Sequence, residues 1–254
     1  MSKRTIDLNC DMGESYGNYK IGNDDRIMPY ITSCNVACGF HGGDPLQIER
    51  TIKNALKHDL QIGAHPSYPD LQGFGRRHMK VPPDELKAII KYQIAAVKGI
   101  TESLGGKLAY VKPHGALYNS AADDVEIAEC IVQAIKEIDE ELAFLGLAGS
   151  KEMQVSAKKA GIKFIAEAFA DRRYTASGRL QSRRIDGAVI HHAQIAAEQV
   201  LSLVKDQEVI SNLNTPVRIK AQSICIHGDN PQIEEILAAI DAILSKNKIQ
   251  KKSF

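Results

Sequence analysis

The stretch CNVACGFHGGDPLQIER, Cys34 to Arg50, decides the fold. It opens on a short, largely apolar run, Cys34–Cys38, of the length of a buried strand. Gly39-Phe40-His41-Gly42-Gly43 then breaks the pattern. Asp44-Pro45-Leu46-Gln47 reads as a helix start, with Asp44 as N-cap, Pro45 at the first helical position and Gln47 placed to close a capping box. Strand, polar turn and capped helix make one βα unit.

The rest of the chain repeats that unit. Further short runs occur at TIDLN (Thr5–Asn9), QIGAH (Gln61–His65), LAYVK (Leu108–Lys112), AFLGL (Ala143–Leu147), KFIAEAF (Lys163–Phe169) and SICIH (Ser223–His227). Each predicts a strand buried on both faces or nearly so. Helical periodicity lies between them. Leu86, Ile89, Ile90, Ile94, Val97 and Ile100 share one face after Pro82-Pro83, and Ile127, Ile131, Ala134, Ile135 and Ile138 share another. Ser150 caps a helix that stops at Gly161, and Ala193–Val204 and Ile233–Leu244 complete the set.

Seven alternations of about 36 residues imply parallel strands with helical crossovers. An open sheet of this kind would leave long edges uncovered, so the expected fold is α/β, a seven-stranded parallel (β/α) barrel. With no linker of low complexity, residues 1–254 are expected to form one domain. The basic tail SKNKIQKKSF, at about 245–254, reads as a solvated, frayed end.

Composition narrows the function. The net charge of +1 gives no general attraction to nucleic acid or to an acidic membrane. No apolar run reaches the roughly 18–20 residues that span a bilayer, and the N-terminal stretch has no signal-peptide core. Five cysteines at irregular spacing do not form a disulfide framework. The expectation is a soluble, cytoplasmic protein. Neither of the glycine-rich nucleotide motifs is present. Gly146-Leu147-Ala148-Gly149-Ser150-Lys151 reads as a plain turn rather than a phosphate cradle.

In parallel βα folds the chemistry collects where strands end and helices begin. Here those junctions carry Asn9, Asp11 and Glu14; His41 and Asp44; His65; Lys112, His114 and Asn119; Asp171 and Arg172; and His227. His-Gly recurs three times, at His41, His114 and His227, and His65 stands at a fourth strand end. Imidazoles and carboxylates converging on one barrel face suit acid–base chemistry or a metal. Asp11, His41 and His65 form a candidate set for a divalent metal, since such a set leaves positions open for water. The Cys34-x3-Cys38-x2-His41 spacing is not that of a structural zinc site, and the thiols read as small buried hydrophobes. Arg77 and Arg172 are candidate anion binders, Arg183 and Arg184 read as surface partners, and Lys112 is a second cation or an activated base.

The segments DLNCDMGE, NVACGFHGGDP, GAHPSYPD, GFGRR, VKPHGALYN, EAFADRRY and SICIHGDNP, in this order from Asp7 to about Pro231, resemble the LamB/YcsF family. The resemblance implies a barrel like those of glycoside hydrolases and deacetylases. It implies action with two partner subunits, B and C, in ATP-dependent hydrolysis of the lactam of 5-oxo-L-proline to L-glutamate, with ATP going to ADP and phosphate. The family motifs fall on Asn9, Asp11, Glu14, His41, Asp44, His65, Lys112, His114, Asn119, Asp171, Arg172 and His227. For such a reaction Asp11 or His41 is expected to activate water, His65 and His114 to orient or protonate, and Lys112 or Arg172 to hold anionic oxygen. Two other readings of the same residues are a stand-alone metal-dependent deacetylase or amidohydrolase, and a non-catalytic subunit that only binds substrate.

Overall fold

The computed structural model of the protein describes residues 4–254. All seven expected strands form. In chain order they are β1 (Thr5–Met12), β2 (Ser33–Ala37), β3 (Gln61–His65), β4 (Leu108–Val111), β5 (Ala143–Leu147) and β6 (Phe164–Phe169). A hairpin of β7 (Glu208–Ile210) and β8 (Pro216–Arg218) precedes the seventh, β9 (Ser223–Ile226). Neighbours pair in parallel from β1 to β6, β6 pairs with β9, and β9 pairs back with β1, closing the barrel. The antiparallel β7–β8 hairpin was not expected; Pro216 at its edge hides it from a strand pattern.

The helices follow the chain: α1 (Asp24–Ile27), α2 (Pro45–Lys57), α3 (Pro83–Ser103), α4 (Gly115–Asp123), α5 (Val125–Ile138), α6 (Lys151–Ala160), α7 (Ala193–Lys205) and α8 (Ile233–Lys246). Local chemistry accounts for their ends. The Asp44 carboxylate accepts from Gln47 N at 2.9 Å, and Ser150 Oγ accepts from Met153 N at 3.1 Å. Gly161 ends α6 at φ +77°. The capping box is only half made, because the Gln47 amide reaches Thr51 instead. Along α3, Leu86, Ile90, Ile94 and Val97 face the barrel and are buried, each contributing roughly 1.5–3 kcal/mol of apolar burial.

The barrel interior is unusually polar. Side chains alternate across a strand, so Asp7, Asn9 and Asp11 of β1 point inward while Leu8, Cys10 and Met12 pack under the helices. At the lowest level Asp7 accepts from Thr32, Ser33 and Ser223. Above it, Asn9 donates to Glu167 and Ser223, and Asn35 donates to Asn9 and Asp11. Tyr110 crosses the interior to donate to Asn35 at 2.6 Å. A Cβ on Gly63 would stand 2.2 Å from the Tyr110 ring, so only glycine fits there.

The C-terminal tail corrects an expectation. It is not a frayed end: β10 (Gln250–Lys251) pairs in parallel with the start of β1, and Ile249 is buried. Phe254 packs against Tyr110, 5.3 Å between ring centroids, within a small apolar cluster with Leu145 and Ile165. Lys246, Lys248 and Lys252 are exposed, Lys251 donates to the Tyr30 carbonyl, and the two apolar residues anchor the segment. No helix among the described residues is long and apolar enough to cross a membrane.

Candidate active site

Strand β1 runs three residues further than expected, so Asp11 lies inside the strand rather than in the loop after it. The loop that follows carries Glu14. Gly13, at φ +71°, donates its N–H to Asp24 at 2.8 Å, which turns the chain over α2. A Cβ on Gly42 would meet the Glu14 carbonyl at 2.6 Å. The glycines around His41 therefore let the β2 loop lie on the β1 loop, backbone against backbone.

That contact brings His41 Nε2 to 3.2 Å from Glu14 Oε1. His65, at the end of β3, places Nδ1 2.7 Å from the Lys112 carbonyl and Nε2 3.3 Å from Asp11 Oδ1. His114, just past β4, places Nδ1 3.0 Å from His65 Nε2 and Nε2 2.9 Å from the Phe74 carbonyl. His41 stacks on His114, with centroids 3.7 Å apart and planes 3° from parallel. All four residues are buried. Burial, and then the neighbouring imidazoles, push His41 and His114 well below the usual histidine range. Burial, and then the charge of Asp11, push the Glu14 carboxyl well above its ordinary value. The segment Gly73–Gly75 lies over this cluster; Phe74 takes φ +54° and sits edge-on to both His41 and His114.

Lys112 separates this cluster from a second one. Its ammonium lies 3.0 Å from Asp11, 2.9 Å from Glu167 and 3.1 Å from Asn9 Oδ1. Burial pulls it down, but Asp11 and Glu167 outweigh that and hold its pKa well above the ordinary lysine value. Of the two expectations for Lys112, its two carboxylate partners favour the cation over the activated base. Burial pushes Asp11 up, but His65 and Lys112 outweigh it and hold the carboxyl well below its usual range. The three contacts of Asp11 with Asn35, Lys112 and His65 all fall on Oδ1. Asp11 is a committed carboxylate and a weak base.

On the far side, His227 Nδ1 lies 2.8 Å from Asp171 Oδ1, and the His227 N–H donates to Asp171 Oδ2 at 3.2 Å. The ring stacks on Phe169. Burial raises Asp171, but His227 outweighs it and holds the carboxyl below its usual value. Asp11, Cys225 and His227 also bring one donor atom each within 4.8 Å of one another.

Both clusters open on one cavity of about 670 Å³ at the C-terminal end of the strands. Its outer wall is cationic: Arg76, Arg172, Arg179, Arg183 and Arg184 all line it. Arg172 is buried; Nη2 donates to the Gln181 carbonyl at 2.6 Å while Nε has no partner among the described residues. Burial, and then Arg183, pull its pKa down to about 10. Asn119 sits exposed at the rim on α4.

Some assignments from sequence change place. Arg77 also lines the cavity, but Asp70 takes both its Nε and Nη2, so it holds the loop rather than an anion. Its neighbour Arg76 faces the site and pairs with Asp229. Arg183 and Arg184 are exposed, as expected, and also line the cavity, where Arg183 pairs with Asp229 at 3.8 Å. Asp44 caps α2 and accepts from Gly17 N, a structural role. The carboxylate gathered with three histidines is Glu14, while Asp11 Oδ1 approaches the same His65 Nε2 that faces His114. Glu167 was missed altogether, although one acid inside the apolar run FIAEAF was the available signal. At the Gly146–Lys151 turn Arg179 donates to the Gly149 carbonyl and pairs with Glu152.

The fold and site define a parallel βα-barrel protein with a histidine–carboxylate cavity at the strand ends. The chain belongs to the LamB/YcsF family, whose model matches residues 6–254. The A subunit of a 5-oxoprolinase from Acinetobacter baumannii (strain ACICU) is 49% identical over 251 residues, 98% of each chain. Its counterpart from Bacillus cereus (strain Q1) is 47% identical over 245 residues, 96% of this chain and 97% of that one. The crystal structure of a lactam utilization protein from Thermus thermophilus superposes with a TM-score of 0.93 at 39% identity, covering 98% of this chain and 100% of that one.

Proposed function

We propose that this chain is a subunit of an ATP-dependent 5-oxoprolinase, which adds water across the lactam of 5-oxo-L-proline to give L-glutamate. The relatives named as the A subunit of 5-oxoprolinase support this reading. The observation that carries it is the single cavity joining the imidazole cluster, the Asp171–His227 pair and buried Arg172. The substrate has one carboxylate and one unreactive amide, and the cavity offers groups for both.

Arg172, with Arg183 and Arg76 beside it, binds the carboxylate. Water is activated at the Glu14–His41–His65–His114 cluster and attacks the lactam carbon. As the C–N bond breaks, the leaving nitrogen takes a proton from His227, whose Nδ1–H is fixed on Asp171 so that Nε2 is left to carry it. Lys112 stays an ammonium and sets the potential between the two halves. Hydrolysis of ATP to ADP and phosphate belongs to the assembly with subunits B and C.

Glutamate release from 5-oxo-L-proline with ATP, in the presence of subunits B and C and with or without this chain, tests the reading. Dependence on all three chains is expected. Turnover that does not change when this chain is left out would sink it, and hydrolysis of an N-acetyl substrate by this chain alone would favour an independent deacetylase instead.

A further inference from the structure

We propose that Glu14, His65 and His114 bind a divalent transition-metal ion of zinc type, with His41 as the residue that positions Glu14. The inference deepens the site reading above and does not depend on the substrate.

A neutral imidazole has one N–H and one lone pair. A carbonyl only accepts, so the Lys112 carbonyl, at 2.7 Å, fixes the proton of His65 on Nδ1. The Phe74 carbonyl, at 2.9 Å, fixes the proton of His114 on Nε2. Both remaining nitrogens then carry lone pairs, and those two nitrogens face each other at 3.0 Å, with Asp11 Oδ1 a third acceptor 3.3 Å from His65 Nε2. Two acceptors at that distance repel unless a positive centre lies before them both.

A shared proton is the lesser candidate. A proton would join only those two nitrogens, whereas Glu14 Oε1 also approaches His114 Nδ1 and His41 Nε2. Ligand atoms around an ion at about 2.0–2.2 Å stand roughly 3.3–3.5 Å apart when the arrangement is tetrahedral. Here His65 and His114 are 3.0 Å apart, and Glu14 Oε1 is 3.6 Å from His114 Nδ1. These edges bracket the ligand spacing. One donor atom from each of Glu14, His41, His65 and His114 also lies within 4.8 Å of the others.

The surroundings are those of a ligand shell. Metal-bound imidazoles commonly donate their other N–H to a backbone carbonyl, as His65 and His114 both do. His41 is stacked parallel to His114, so its lone pair cannot converge with that of its neighbour. Its Nε2–H instead donates to Glu14 at 3.2 Å, leaving Nδ1 buried without a partner among the described residues. Two imidazoles and one carboxylate leave a coordination position for water, which the ion would make a nucleophile near neutral pH.

The test uses the full chain, purified without chelator and dialysed against Zn2+ or Co2+. The expected result is about one tightly held ion per chain, visible-region Co2+ absorption of a four- or five-coordinate site, and a higher Tm with metal. His114→Gln should lose the ion and the metal-dependent Tm shift, and His41→Gln should weaken affinity by roughly 10–100-fold. His58→Ala, at an exposed histidine away from the strand ends, should bind as the parent does. If the folded parent chain holds less than about a tenth of an equivalent of either ion, or if His114→Gln folds and retains it, the inference is overturned. Metal bound without 5-oxo-L-proline turnover would instead overturn the substrate and leave the ion in place.

Discussion

His114 and His227 are both followed by glycine and both stand just past a barrel strand, yet their surroundings differ completely. His114 donates to a backbone carbonyl and turns its other nitrogen toward another imidazole. His227 donates to a carboxylate that is held below its usual pKa. A carbonyl accepts the ring N–H without adding charge, whereas a carboxylate places a negative charge beside the ring. The same dipeptide thus turns an imidazole toward another imidazole at one end of the cavity and toward a carboxylate at the other.

Removing each histidine is the strongest test of that difference. In the reconstituted complex His114→Ala should lower kcat by about 10³-fold or more, and His227→Ala by about 10²-fold. A small amine supplied in solution should partly rescue only the second, because it replaces a proton carrier and not a positioned cluster. Equal losses and equal rescue would erase the distinction.

Lys112 lies between the two ends, and its loss should cost stability more than any other single change here. Lys112→Met leaves Asp11 and Glu167 buried without their cation and should destabilise the chain by about 3–5 kcal/mol in urea denaturation. Adding Glu167→Gln should restore part of that. A Lys112→Met protein as stable as its parent would show that the two clusters are independent.

The carboxylates beneath the two ends should give opposite pH dependences. Burial raises Asp24, which supports the Gly13–Glu14 loop, to about 6. Its folded pKa exceeds the unfolded one, so the stability tied to it is full below about pH 4 and falls by up to about 2–3 kcal/mol as pH rises to 6. Asp24→Asn should flatten that slope. Asp171 is lowered instead, so its contribution is full above about pH 4 and lost as pH falls through its folded value. Asp171→Asn should flatten only the acid limb, and stability curves between pH 2 and 7 would separate the two.

The smallest effect expected is at the other end of the barrel. Removing Phe254 exposes the apolar cluster around Tyr110 and should cost about 1–2 kcal/mol without changing kcat. A loss of activity would mean that the polar interior transmits strain from the tail to the site.

Much of this was legible in the sequence because it is local. Strands β3 and β5 begin and end where their apolar runs do, and Asp44, Ser150 and Gly161 end their helices by contacts within three or four residues. The four histidines at strand ends were legible for the same reason. The role of Glu167 was not, because it depends on Lys112 and Asn9, the latter 158 residues away in sequence. Which arginine of Arg76-Arg77 faces the cavity was equally hidden, since Asp70 decides it. Hydrophobic periodicity and turn chemistry determined the seven βα units and put the polar residues at one end of them. Only closure of the barrel decided which carbonyl, carboxylate or imidazole each of those residues meets, because the register around seven strands makes neighbours of residues that no local pattern connects.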